Sequence, residues 1–130
     1  MNEYFRLVIS GRSYGSEECI VTCQDGKYRA ERKVMLWDNL RKHGGVLEDA
    51  DLEDWYTRLK RFRFEDWEDE YRNKDVVVLD GIQWEIEYRA DGVEKHITGD
   101  NAYPNRWGGI KQLIKELDEM IENNDRYPVM

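Results

Sequence analysis

Between residues 82 and 89, Ile82, Trp84, Ile86 and Tyr88 alternate with Gln83, Glu85, Glu87 and Arg89. Successive side chains of a strand point to opposite faces, so this stretch reads as a strand with one buried face. Asp91-Gly92 follows, and that dipeptide favours a two-residue type I′ turn because both central residues need positive φ. On the return strand Val93, Lys95 and Ile97 face one way, and Glu94, His96 and Thr98 the other. A connection from Gly99 to Pro104 then leads to Trp107, Ile110, Ile114, Leu117 and Ile121. Their three- and four-residue spacing, widened by Leu113 and Met120, is the stripe of an amphipathic helix. Asn123-Asn124 is its expected stop. The carboxy-terminal half is therefore committed to a hairpin feeding a helix.

The amino-terminal 36 residues read as a meander. Phe5, Leu7 and Ile9 share one face of a first strand, opposite Tyr4, Arg6 and Val8. Residues 11–16 carry turn chemistry. Cys19, Val21 and Cys23 share a face of the second strand, and Asp25-Gly26 supplies another type I′ turn. Tyr28, Ala30, Val34 and Leu36 continue a third strand, with Arg32 as the break in its apolar face. Trp37 to His43 read as a short helical turn closed by Gly44-Gly45 in a left-handed cap. A second helix should start near Asp49 or Asp51, which can cap free backbone N–H groups, and it carries Leu52, Trp55, Tyr56, Leu59 and Phe62 on one face. Glu65 to Asp75 is compatible with helix or irregular structure. Asp80-Gly81 is a turn. The expectation is a single α+β domain over residues 1–130, with an antiparallel sheet of about five strands. That sheet joins the meander to the hairpin and is packed by two amphipathic helices.

A chain of 130 residues is large enough to bury a core, and its five Trp and eight Tyr would make that core rich in large rings. A net charge of -8 argues against direct nucleic-acid binding and against adhesion to an anionic membrane. The apolar run Val76 to Leu79 is too short to span a bilayer. The amino terminus, Met1-Asn2-Glu3-Tyr4, lacks the regions of a signal peptide, so the expected location is the cytoplasm. Cys19 and Cys23, four apart on a strand, would lie about 13 Å apart, beyond the reach of a disulfide.

The string Leu79-Asp80-Gly81-Ile82-Gln83-Trp84, the Asp91-Gly92 turn and Gly99-Asp100-Asn101-Ala102-Tyr103-Pro104 before Trp107 resemble a family of small bacterial proteins. That family carries an LDG-x-Q-W strand and a G-x-N-A-Y-P segment ahead of a final helix. The resemblance covers about the last 50 residues and implies a fold, not an activity. The residues also have plain structural work there. Gly81 and Gly92 serve turns, Trp84 anchors a strand, Pro104 pre-sets φ at the helix entry, where its missing N–H is harmless, and Asn101 can cap the loop. The functional alternative is that Trp84, Asn101, Tyr103 and Trp107 line a small-ligand groove at the hairpin–helix junction.

No catalytic constellation is legible. There is no Gly-x-Ser-x-Gly elbow and no reactive-cysteine signature. His43 precedes a glycine pair and His96 falls on the outer face of a strand; an enzyme would have to use His96 with a carboxylate such as Asp100. A lone Cys-x3-Cys is a poor zinc signal, no EF-hand spacing occurs, and Gly108-Gly109 lacks the P-loop frame. No metal and no cofactor are expected.

The remaining feature is acidic. Residues 48–70 hold ten carboxylates and four basic side chains, a local charge of -6. Glu65, Asp66, Glu68, Asp69 and Glu70 surround Trp67. This can be a solvated face with the indole tucked into the core. The sharper alternative is a row of negative charge that imitates a phosphate backbone and docks on a basic protein, since charge of this kind speeds association. The reading taken forward is a non-catalytic, acidic protein-binding module, of the type of phage or mobile-element inhibitors (anti-CRISPR or anti-defence). The alternatives are the aromatic ligand groove and a bacterial housekeeping role. The oligomeric state is open.

Overall fold

The computed structural model describes residues 2–36, 41–48, 52–72 and 81–125, with the side chains of 41–43 and 124–125 excepted. The fold is α+β. Strands β1 (Glu3–Gly11), β2 (Gly15–Gln24), β3 (Lys27–Leu36) and β4 (Arg41–Leu47) are followed by helix α1 (Leu52–Lys60). A 3-10 turn (Phe64–Asp66) and β5 (Glu70–Arg72) come next. The hairpin β6 (Ile82–Ala90) and β7 (Val93–Asp100) then leads to α2 (Trp107–Asp125). Seven strands form a single sheet in the order β4-β3-β2-β1-β6-β7-β5. Neighbours are antiparallel except β5, which pairs parallel with β7. The sheet is thus mixed and two strands wider than the expected five.

Alternation builds the sheet as expected. Phe5, Leu7 and Ile9, Cys19 and Val21, Trp84, Ile86 and Tyr88 are all buried on one face. Asp25 and Gly26 (φ 52° and 77°) and Asp91 and Gly92 (φ 53° and 79°) take the left-handed values of the two tight turns. Both helices cover this inner face. Leu52, Trp55, Tyr56 and Leu59 of α1 and Ile110, Leu113, Ile114, Leu117 and Ile121 of α2 complete the core. The Trp55 indole N–H donates to the Leu113 carbonyl at 2.8 Å, tying one helix to the other. Arg32, the break in the face of β3, is also buried and reaches Asp118 of α2. Among the described residues no helix covers the opposite face, where Arg6, Val8, Glu18, Ile20, Glu85 and Glu87 are partly exposed.

Two expectations are revised and one open stretch takes a definite form. Arg41 to Leu47 form an edge strand rather than a helical turn, and neither Gly44 nor Gly45 has positive φ. Gly44 lies opposite Lys33, and a Cβ there would sit 2.5 Å from the Arg32 carbonyl oxygen. Close backbone approach, not capping, is its role. The stretch from Glu65, compatible with helix or irregular structure, takes the 3-10 turn and the three-residue β5 as far as Arg72; Asn73 to Asp75 lie outside the described residues. Helix α2 begins at Trp107, whose N–H donates to the Pro104 carbonyl at 3.0 Å, so Pro104 sits upstream of the first turn. Trp37 to Leu40, the expected caps Asp49 and Asp51, the run Val76 to Leu79, and Asp80 lie outside the described residues.

Candidate functional site

The acidic segment is held from behind. Arg63 adopts a left-handed conformation (φ 53°) that turns the chain out of α1 into the 3-10 turn. Phe64 and Trp67 then drop into the core with ring centroids 4.9 Å apart. The Trp67 indole N–H donates to the Phe62 carbonyl at 2.8 Å, and Arg106 donates to the same oxygen at 2.7 Å. Trp67 is 7% exposed, so its ring is an anchor and not a contact surface. The other end is fixed by β5 and by the Thr98 N–H, which donates to the Asp69 carbonyl at 3.0 Å.

Glu65, Asp66, Glu68, Asp69 and Glu70 are all exposed. Arg63 pairs with Asp66 at 3.0 Å and reaches Glu65 at 3.8 Å. Lys95 meets Asp69 at 2.7 Å, and Arg72 pairs with Glu70. Among the described residues no cation pairs with Glu68. The row is therefore partly neutralised by cations at its own margins, and its display is fixed by the fold.

The junction residues fall beside this segment. Trp84 is buried, stacks on Trp107 with centroids 4.6 Å apart, and donates its indole N–H to the Ala102 carbonyl at 3.0 Å. Tyr103 lies 5.2 Å from Trp107 and is exposed. Asn101 has φ 52° and accepts the Ile82 N–H on Oδ1 at 2.8 Å, the capping role expected of it. Tyr71 bridges the two candidates, 6.4 Å from Trp67 and 5.7 Å from Trp84. One aromatic run thus extends from Phe64 through Trp67, Tyr71, Trp84 and Trp107 to Tyr103. A shallow groove of about 480 Å³ borders Trp84, but Arg6, Val8, Tyr71, Gln83, Glu85 and Asp100 line it with no contribution from Asn101, Tyr103 or Trp107.

His96 does not meet Asp100. Its Nε2 lies 2.7 Å from Glu85 Oε2, while Asp100 accepts from Gln83 at 3.2 Å. Two residues four apart on one strand point the same way but stand about 13 Å apart. The side chain of His43 is outside what is described. Glu85, Glu87 and His96 place one ligand-capable atom each within 4.8 Å of one another. Sequence reasoning passed over this trio, although counting back from the Asp91-Gly92 turn puts Glu87 opposite His96.

Cys19 and Cys23 are both free thiols. Burial pushes the Cys19 thiol up to about 12, against the opposing pull of Arg32, which removes the thiolate a nucleophile needs. No helix among the described residues is long and apolar enough to cross a membrane. The chain matches no family model and no curated protein.

Proposed function

We propose that this protein is a non-catalytic binding module that docks an acidic face on a basic protein surface of the kind that handles nucleic acid. The contact residues are Glu65, Asp66, Glu68, Asp69 and Glu70, with Trp67 fixing them from behind. One observation carries the reading: five exposed carboxylates sit on a segment pinned at both ends, by Trp67 in the core and by β5 on the sheet. Charge held in place loses little conformational entropy on binding and steers a cationic partner from a distance. An inhibitor that competes with a nucleic acid works in this way. The aromatic junction supports the same reading less directly, because Trp84 and Trp107 stack on each other and so occupy the faces a ligand would use.

The test is capture of nucleic-acid-binding proteins from the native host with the tagged chain, eluted by a salt gradient. Binding should fall steeply as salt screens exposed charges beyond about 10 Å at ~0.1 M. The quadruple reversal E65K/D66K/E68K/D69K should abolish it. A matched reversal of four exposed carboxylates elsewhere, E48K/D54K/E94K/E119K, should leave most of it. Salt-insensitive capture, or equal loss in the two reversal sets, rules the reading out.

A further inference from the structure

The uncovered face of the sheet carries a second concentration of charge, on other strands. Arg6 of β1 stands at its centre. Its Nε holds Glu18 of β2 at 3.0 Å, and one terminal nitrogen reaches Glu85 at 3.5 Å and Glu87 at 3.4 Å. One guanidinium thus serves three carboxylates, with its short contact to Glu18 and looser ones to the pair on β6. Glu85 and Glu87 share that guanidinium with Glu18, and Glu85 has His96 as a second partner at 2.7 Å.

His96 completes the geometry. Glu85 and Glu87 are two apart on β6 and so project from the same face. The tight Asp91-Gly92 turn fixes the register that sets His96 of β7 directly across from Glu87. Two carboxylate oxygens and one imidazole nitrogen converge within 4.8 Å. A tetrahedral ion with bonds of about 2.1 Å needs its ligand atoms about 3.4 Å apart. His96 Nε2 and Glu85 Oε2 already lie 2.7 Å apart, and the widest separation in the trio has at most about 1.4 Å to close. Side-chain rotation supplies it, with the Arg6 terminal nitrogen giving up Glu85 and Glu87 while its Nε stays on Glu18.

We propose that Glu85, Glu87 and His96 form a surface site for a divalent transition ion of the zinc class. An imidazole nitrogen with two carboxylates suits Zn2+, Co2+, Ni2+ or Mn2+. Mg2+ and Ca2+ prefer all-oxygen shells. Three protein ligands leave the remaining positions to solvent, the open form of such a site. None of these residues belongs to the 65–70 segment, so this site and the acidic docking face stand or fall separately.

The test uses the full chain, stripped of metal by chelator and titrated calorimetrically with zinc chloride, with cobalt chloride followed by visible absorption. A single saturable equivalent is expected, with magnesium chloride giving no comparable heat. H96Q and E87Q should each weaken binding at least ~10-fold, the smallest loss seen even for outer-shell partners. C23S should bind as the parent does, which excludes the half-buried thiol as the ligand. Both ligand positions are at the surface, and circular dichroism of each variant verifies the fold. Zinc that fails to saturate below about 1 mM, or zinc binding that survives both H96Q and E87Q, overturns the proposal.

Discussion

Arg32 grips Asp118 with two nitrogens, Nε to Oδ1 at 2.7 Å and a terminal nitrogen to Oδ2 at 3.1 Å. The same terminal nitrogen donates to Glu17 at 3.1 Å, and the other donates to the Glu18 carbonyl at 3.1 Å. The guanidinium therefore joins β2 and β3 to α2 from a position 4% exposed. The fork of Arg matches a carboxylate in a way Lys cannot.

Removing the guanidinium takes away the charge that Glu17 and Asp118 share, and leaves the buried Glu17 with the longer contact to Lys111 at 3.5 Å. Arg32→Ala should cost about 3–5 kcal/mol of folding stability. Urea denaturation followed by tryptophan fluorescence measures it, and a loss under about 1 kcal/mol would show that α2 is held without this contact.

Glu17 sets an acid limit. Burial favours its neutral form, but the Tyr14 hydroxyl, Lys111 and Arg32 together outweigh burial and hold the carboxyl below the ordinary value. A carboxylate depressed in the folded state stabilises fully above its unfolded pKa of about 4.3 and ceases to do so as pH falls through the folded value. The parent should lose thermal stability below pH ~4 more steeply than Glu17→Gln. Calorimetric scans between neutral pH and pH ~3 compare the two, and parallel curves would remove Glu17 from the account.

The two thiols should separate by access. Cys19 is wholly buried and its thiol is pushed up to about 12, while Cys23 is half-buried. In native protein near pH 8 a disulfide reagent should titrate Cys23 first, and Cys19 only once denaturant opens the core. With Cys23→Ser the native reaction should vanish. Two thiols reacting at one rate would contradict the described burial.

Two glycines should fail for different reasons. A Cβ on Gly99 would run into the Trp84 indole, whereas one on Gly92 meets open space but holds φ at +79°. Gly99→Ala should cost about 1–3 kcal/mol through overpacking and shift the native tryptophan emission. Gly92→Ala should cost about 1–2 kcal/mol through backbone strain alone, with the emission unchanged. Denaturation curves and native spectra of the two variants distinguish the causes.

Parts of this fold are written locally and parts are not. Ile82 to Tyr88, Asp91-Gly92 and the stripe from Ile110 to Ile121 each contain their whole signal within a few residues, and all three take the expected form. Arg41 to Leu47 carries no alternation, so Gly44-Gly45 looks like a helix cap until β3 is placed beside it. Glu70 to Arg72 is too short to show any period, and its partner on β7 is remote in sequence. Arg32 is visible as a misfit on an apolar face, but nothing in the sequence points from it to Asp118. Of the acidic segment, the charges are legible and the burial of Trp67 is one of two open readings. The Glu85–Glu87–His96 trio is legible only by register, because its members are ordinary outward-facing residues on a hairpin.

Strand β1 lies in the middle of the sheet with β2 on one side and β6 on the other, the latter from Tyr4↔Arg89 to Gly11↔Ile82. The first neighbour follows it at once; the second is encoded far downstream. During synthesis, at roughly 5–20 residues per second, β1 waits about 4–14 s for β6 to be made. Through that interval its free side is an unpaired edge beside the apolar row Phe5, Leu7 and Ile9, the condition that invites pairing with another chain. Birth order thus leaves the central strand of the finished sheet with one side open until β6 has been made.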